Sequence, residues 1–479
     1  MLRSRFSGKS RGASGGGGKV DVVNPYSLKK IGEVAMNPWD VVDGYLDQAQ
    51  ALHRNRNAWL PAHKRIDILA RAAGIMEDNA DALAHQIANE GGKPLQDAIV
   101  EVTRAIDGIG LCAHGIAEIK GEEIPMDLTA AGAGRIAFSQ REPIGPVVAL
   151  SAFNHPLNLI VHQVGPAVAA GCPVLVKPSA DTPLSCQTLV NIFHQAGLPE
   201  EWCRFVLNDR VGAEQMATDP RTHFFSFIGS AKVGWMLRSK LAPGTRCALE
   251  HGGLAPVIVA EDADFSEMIP SLLKGGMYHS GQVCVSVQRV YAPRKMAPAI
   301  AEQLAHGAAR LVVGDAVSAK TECGPLIRPR EVDRVEEWVN EAKAGGAKVV
   351  TGGERLGETT YAPTILLDPP ADARVSTLEI FGPVICIYSV DSLDEAIAKS
   401  NDLPFAFQAA VFTKNLDIAM DASRRLDATA VMINDHTAFR VDWMPFAGRK
   451  QSGHGVGGIG HTMHEMTQDK MRVIKLGKV

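Results

Sequence analysis

The sequence predicts an α/β protein with two doubly wound, parallel-sheet domains, and three observations carry that prediction. Its 479 residues exceed what one core usually holds, so two or more domains are expected. From Arg135 onward, short apolar β-prone runs alternate with helical stretches, the pattern of parallel strands joined by crossover helices. Several of these runs end in polar residues, at the carboxyl ends of strands where such sheets bind ligands.

Taken in order, residues 1–20 carry five basic side chains, no acid and a run of four glycines, and are expected to be disordered. A transit peptide would share the basic character, but an apolar face at helical spacing is lacking. Asn24–Val34 reads as two short strands around a turn. From Pro38 to about Gly121 the apolar spacing is helical and predicts three or four helices. Pro146–Ser151 reads as a buried strand ending at Ala152-Phe153-Asn154-His155-Pro156. Pro173–Lys177 is a second strand ending at Pro178-Ser179, and Phe205–Leu207 and Phe224–Ile228 continue the series. Gly229-Ser230-Ala231-Lys232-Val233-Gly234 then turns into a helix, where free N–H groups and the helix dipole favour a phosphate. It is not a Gly-x-Gly-x-x-Gly fingerprint, and a plain strand-to-helix turn reads the same. A second αβ series runs from about Ala255 to Asn434. The final strand-like stretch through Val473 and Leu476 has no obvious partner within the chain, which points to pairing with another subunit.

Composition narrows the function. Apolar content of 46%, charged content of 21% and a net charge of -4 describe an ordinary globular chain, with no basic excess to hold a nucleic-acid backbone. The longest apolar stretches break well before the ~20 residues a membrane helix needs, so no nucleic-acid partner and no membrane span are expected. The eight cysteines, 112, 172, 186, 203, 247, 284, 323 and 386, show no Cys-x-x-Cys pair and no metal-ligand spacing with histidine. No metal and no disulfide framework are indicated, and the thiols read as those of a reduced, cytoplasmic chain. A cysteine in apolar surroundings is usually a small buried hydrophobe; Cys284 differs in its context. Gly281-Gln282-Val283-Cys284 presents the thiol after a glycine that allows a tight turn, with the β-prone run Val285–Val290 expected as support. Upstream, Leu249-Glu250-His251-Gly252-Gly253 supplies a carboxylate, so that Cys284 and Glu250 read as nucleophile and base of one site between domains.

These motifs, in this order over about Asn24 to Leu476, resemble the aldehyde dehydrogenase superfamily. The pieces are Phe153-Asn154-x-Pro156, Lys177-Pro178-Ser179, Gly229-Ser230, Glu250-x-Gly252-Gly253, Gly281-Gln282-x-Cys284, Glu379-x-Phe381-Gly382-Pro383 and Pro445-Phe446-x-Gly448. The resemblance implies a dinucleotide-binding domain (21–123 and 144–252), a catalytic domain (253–460) and a β-arm for oligomerisation (124–143 and 461–479), assembling a homodimer or homotetramer. It implies oxidation of an aldehyde to its carboxylate with NAD or NADP. Cys284 would add to the carbonyl, the Asn154 amide and the Cys284 N–H would stabilise the oxyanion, and Glu250 would activate the water that hydrolyses the thioester. Lys177 and Glu379 would hold the cofactor riboses and Phe381 the nicotinamide end, with Ser151, Ala152, Phe153, Ser179, Gly229, Ser230 and Gly253 completing the cofactor site.

Departures bear on detail. Many NAD-preferring members carry a glutamate after Lys-Pro-Ser; here it is Ala180, which removes repulsion against a 2'-phosphate, whereas Asp181 weighs against one. His251 and Ala447 replace an apolar residue and a glycine without clear meaning. Arg440, before Pro445 in the substrate-entrance loop, can clamp an anionic group by paired hydrogen bonds or form an ion pair with Asp442 or with another subunit. Together with His155 it resembles members acting on small anionic aldehydes such as phosphonoacetaldehyde or semialdehydes, although Val283 brings no second cation beside Cys284. Two alternatives stay open: a coenzyme-A-acylating enzyme, against which Glu250 speaks, and a non-catalytic scaffold of the same fold.

Overall fold

The computed structural model describes residues 18–477. Most of the N-terminal segment expected to be disordered, and the last two residues of the arm, lie outside the described residues. The first strand already starts inside that segment: β1 (Lys19–Val23) pairs antiparallel with β2 (Lys30–Ala35). The turn between them is held by Asn24, whose Oδ1 accepts the N–H groups of Tyr26 and Ser27 at 3.0 and 2.8 Å. Four helices follow, α1 (Trp39–Arg54), α2 (Ala62–Asp78), α3 (Ala80–Gly91) and α4 (Leu95–Gly115), as the helical spacing predicts.

The first large sheet has the order β19-β9-β8-β5-β6-β7, formed by β5 (Val147–Leu150), β6 (Val174–Lys177), β7 (Cys203–Phe205), β8 (Phe224–Ile228), β9 (Arg246–Glu250) and β19 (Gly453–His454). Strands β5 to β9 are mutually parallel. Side chains of β5 alternate between two cores: Val147 and Ala149 face one, Val148 and Leu150 the other, as a strand covered on both faces must. Helix α5 (Asn158–Ala170) is buried along its whole length. The order of the strands across the sheet reverses between β5 and β8, and the crevice at such a switch is where a doubly wound sheet takes its ligand.

The second sheet has the order β12-β13-β14-β11-β10-β16-β17, from β10 (Pro256–Val259), β11 (Arg289–Pro293), β12 (Lys348–Thr351), β13 (Thr364–Leu367), β14 (Val384–Val390), β16 (Gln408–Phe412) and β17 (Ala430–Ile433). All are parallel except the edge strand β12. A small ribbon pairs β15 (Phe405–Ala406) with β18 (Arg449–Lys450).

Two features depart from expectation. Strand β19, within the stretch expected to belong to the catalytic domain, pairs antiparallel with β9 of the first sheet, Gly453 opposite Glu250; the open edge of β9 takes it. The final strand β20 (Thr467–Lys475) also has a partner in its own chain. It pairs with β4 (Arg135–Pro143) over nine residues, and β4 pairs with β3 (Glu123–Ile124). Among the described residues no helix is long and apolar enough to cross a membrane.

Candidate active site

The Cys284 loop is shaped by what precedes it. His279, Ser280 and Gly281 have φ of 46°, 56° and 70°, a left-handed turn that non-glycine residues adopt at a cost. Gly281 admits no side chain, because a Cβ there would run into the Gly382 carbonyl. Ser280 Oγ donates to Gly324 O (2.6 Å) and Gln282 Nε2 to Pro325 O (3.2 Å), while Gln282 Oε1 accepts the Ile327 N–H (3.0 Å). The strand expected immediately after the sulfur begins only at Arg289. Before it, the N–H groups of Ser286 and Val287 are used by Val283 O and Gly275 O, which keeps them out of the ladder. Cys284 instead rests on an apolar cluster with Val283, Val285, Phe407 and Phe446. Six of the eight cysteines are buried, and only Cys247 and Cys284 are partly exposed.

Three groups converge on this thiol. Burial pushes it up to about 12, Glu379 and Glu250 adding to the rise and Arg440 opposing it, so the resting sulfur is protonated and needs a proton acceptor before it can attack. Glu250 ends β9, and burial raises its carboxyl against the pull of Arg440; such a carboxylate can take a proton near neutrality. Gly253 N–H donates to Cys284 O at 3.1 Å, so the glutamate motif and the cysteine motif touch. Asn154, buried in the loop after β5, donates Nδ2–H to Gln282 O at 2.9 Å, leaving the second N–H of its amide. The Cys284 N–H, which makes no backbone hydrogen bond to another residue, faces its own sulfur. An oxygen anion forming at the sulfur would meet donors from both.

Just after β5, Ser151 Oγ is buried without a partner, as is Glu379 Oε1 in the loop before β14, and Lys177 Nζ, at the end of β6, donates only to Pro178 O, at 3.2 Å. Burial lifts Glu379 to about 8, and Gly252 makes room for it, since a Cβ there would collide with its carboxyl group. Phe381, at φ 47°, sets its ring edge-on to Phe153 with centroids 5.8 Å apart. Two unsatisfied groups, a hydroxyl and a carboxyl, and an ammonium held by a single carbonyl fit the riboses of a dinucleotide in chemical character. Within the Gly229–Gly234 turn, the Gly229 N–H donates to Glu250 O at 3.0 Å and the Val233 and Gly234 N–H groups donate to Ser230 O, so a phosphate would draw on the amides of Ala231 and Lys232 at the start of the helix Ala231–Arg238. Asp181 is likewise neutralised, by Arg328 Nη2 at 2.8 Å, which removes the objection it raised to a 2'-phosphate. Among the described residues no group of three or more His, Cys, Asp or Glu side chains is arranged to hold a metal.

The Arg440–Asp442 ion pair does not form. Asp442 accepts both arms of Arg104 (Nε–Oδ2 3.0 Å, Nη2–Oδ1 2.7 Å), Asn158 Nδ2 (3.2 Å) and His162 Nε2 (2.7 Å). Arg440 stacks its guanidinium 3.6 Å over the Phe446 ring, places Nη2 3.3 Å from His162 Nδ1, and leaves Nε buried without a partner. His155 lies against Tyr278, its Nε2 3.4 Å from the phenol oxygen, and burial, then Lys93, holds it well below the usual histidine range. Sequence reasoning named Gln282 only as part of the cysteine motif and missed His162, Arg104 and Glu101; Glu101 Oε1 accepts the Leu157 and Asn158 N–H groups, both at 3.0 Å, and so fixes the start of α5 just after Asn154.

Comparison with known proteins agrees with this arrangement. Residues 13–472 match the aldehyde dehydrogenase family. The 3-sulfolactaldehyde dehydrogenase of Priestia aryabhattai is 35% identical over 460 residues, covering 96% of this chain and 95% of that protein. The crystal structure of aldehyde dehydrogenase 21 from Physcomitrella patens, in complex with the reaction product succinate, superposes with a TM-score of 0.92 at 33% identity, over 97% of this chain and 96% of that one. That of glyceraldehyde-3-phosphate dehydrogenase GapN from Methanocaldococcus jannaschii, complexed with NADP, gives 0.90 at 33% identity, over 95% and 99%. With motif order, two-sheet fold and relatives in agreement along nearly the whole chain, the protein belongs to the aldehyde dehydrogenase family and is an NAD(P)-dependent aldehyde dehydrogenase.

Proposed function

We propose that the protein oxidises a small aldehyde carrying an anionic group. The observation that carries this reading is Arg440, partly buried beside Cys284 and Glu250. A partly buried guanidinium that no carboxylate bridges carries a desolvation cost, and an anionic substrate would offset it. The sulfonate in the name of the Priestia relative, the succinate bound to the Physcomitrella enzyme and the phosphate in the name of the Methanocaldococcus enzyme support it by likeness.

In this reading Cys284 passes its proton toward Glu250 as its sulfur adds to the carbonyl, and Asn154 and the Cys284 N–H hold the resulting oxyanion. NAD or NADP, when bound, supplies the hydride acceptor, and the sulfur is left holding a thioester. Glu250 passes that first proton to solvent and then takes one from the water whose oxygen adds to the thioester; collapse of the adduct breaks the C–S bond, freeing the carboxylate and the Cys284 sulfur. Lys177, Ser179 and Glu379 hold the riboses. Ser151, Ala152, Phe153, Ser230, Gly253 and Phe381 line the rest of the crevice, with Gly229 shaping the turn, while His155 lines the substrate side with Arg440. The chain works in the cytoplasm as a homodimer or homotetramer joined through the arm of residues 124–143 and 461–479. A panel of anionic and neutral aldehydes matched in length, run with NAD and with NADP, tests the reading: a clear preference for the anionic set is expected, abolished with all activity in Cys284→Ser. Equal use of both sets would refute it.

A further inference from the structure

We propose that His162 is a positioning residue for Arg440: locked by Asp442 as the Nε2–H tautomer, it offers a bare Nδ1 that aims the guanidinium at the substrate without neutralising it. This rests on the anion-binding role of Arg440 proposed above. The tautomer follows from donor counting. A guanidinium has only donors, so the 3.3 Å contact from Arg440 Nη2 needs a lone pair on Nδ1. A neutral imidazole then carries its hydrogen on Nε2, where the Asp442 carboxylate receives it at 2.7 Å. Burial and Arg440 push His162 down to about 4 against the pull of Asp442, so the ring is neutral in the physiological range.

Asp442 is itself fixed. Burial would raise its pKa, but hydrogen bonds from His162 and Arg104 outweigh it and hold the carboxylate well below its usual range. The fork of Arg104 cancels its charge. An Arg440–Asp442 contact would have quenched the cation in the entrance loop. The fold gives that carboxylate to Arg104 and inserts the imidazole between, so Arg440 is gripped by a lone pair and by the face of Phe446. Neither carries a charge.

Two substitutions separate the two ends of the ring. His162→Asn keeps an oxygen acceptor near the Nδ1 position, while His162→Gln keeps a donor near Nε2 and loses the contact to Arg440. The readout is the ratio of kcat/KM for an anionic over a neutral aldehyde of equal length, with KM and kcat resolved. His162→Gln is expected to lower the ratio roughly tenfold, chiefly through KM of the anionic aldehyde, and His162→Asn to keep most of it. The reverse order, or an unchanged ratio in both, would overturn the proposal. Arg440→Ala runs alongside: if it too leaves the ratio unchanged, the anion-binding role fails, whereas a collapsed ratio there with both His162 variants intact defeats only the positioning role. A neutron structure of the unaltered protein tests the tautomer directly and needs no variant to fold. Deuterium on Nε2 and none on Nδ1 is expected; deuterium on Nδ1 overturns the proposal.

Discussion

Replacing Glu250 by glutamine removes the only carboxylate that the two-step reading assigns to proton transfer while keeping the shape of the side chain. Two magnitudes set the expectation. Neutral pH lies about five units below a thiol pushed up to about 12, and at 1.36 kcal/mol per unit a free-standing thiolate would cost ~7 kcal/mol to form. Attack is therefore coupled to proton transfer, and the variant's first turnover should slow. A positioned base contributes about 10²–10⁴ in rate, so steady turnover, which needs Glu250 again to activate water, should fall by that factor. Stopped-flow absorbance of the reduced cofactor should show a slowed burst close to stoichiometric with active sites, followed by a near-flat phase. Intact-mass measurement should find acyl group on Cys284. Because burial raises Glu250 from its ordinary value, wild-type turnover should climb with pH along a limb displaced upward from that value, and the variant should lack it. Steady turnover within about threefold of wild type would refute the assignment.

Other perturbations probe separate parts of the structure. Arg440→Met keeps an unbranched stem on Phe446 and should lower kcat/KM for anionic aldehydes by about 10²-fold, the value of a lost charged pair, with a far smaller loss for neutral ones; its melting temperature, read by calorimetry, should change little, because the partly buried guanidinium bridges no carboxylate. Gly252→Ala should weaken NAD(P) binding, measured by fluorescence titration, because the new methyl displaces Glu379. Glu90, fully buried where it accepts the Leu184 and Ser185 N–H groups at 2.8 Å each, is raised by burial from 4.5 to about 7. Between those values the unfolded chain ionises while the folded one keeps its proton, so stability falls as pH rises through this window. Denaturant titrations should show wild type losing up to about 3 kcal/mol relative to Glu90→Gln from pH 4.5 to 7.

How much of this was legible in the sequence depended on distance along the chain. Cys284 and Glu250 could be singled out from local glycine-flanked patterns, and Asn154, Lys177 and Glu379 from short motifs that resemble those of the family. The support around them comes from contacts that no local pattern encodes. Arg104 and Asp442 are 338 positions apart, and Gln282 acts on a segment 45 positions on. One signal was present: His162 and Gln163 are adjacent polar residues inside the otherwise apolar, fully buried α5, and such residues need polar partners. The run after Cys284 looked like a strand because β-propensity reports burial on a pleated surface as much as pairing, and Val283, Val285 and Val287 are buried without one. The last strand seemed partnerless because β4 lies more than three hundred positions earlier.

The return of β19 to the edge of β9 bears on when the enzyme comes into being. During synthesis the first sheet is nearly all translated while Glu250 still stands on an unprotected border strand, and the residues that close that border follow 203 positions later, Gly453 opposite Glu250. Nascent or proteolytically shortened chains ending before Gly453 therefore have both the thiol and the carboxylate yet lack the ribbon that aligns the carboxylate, and they expose a sheet margin open to mispairing. Activity should arrive only once Gly453 and His454 have been made and have closed that border.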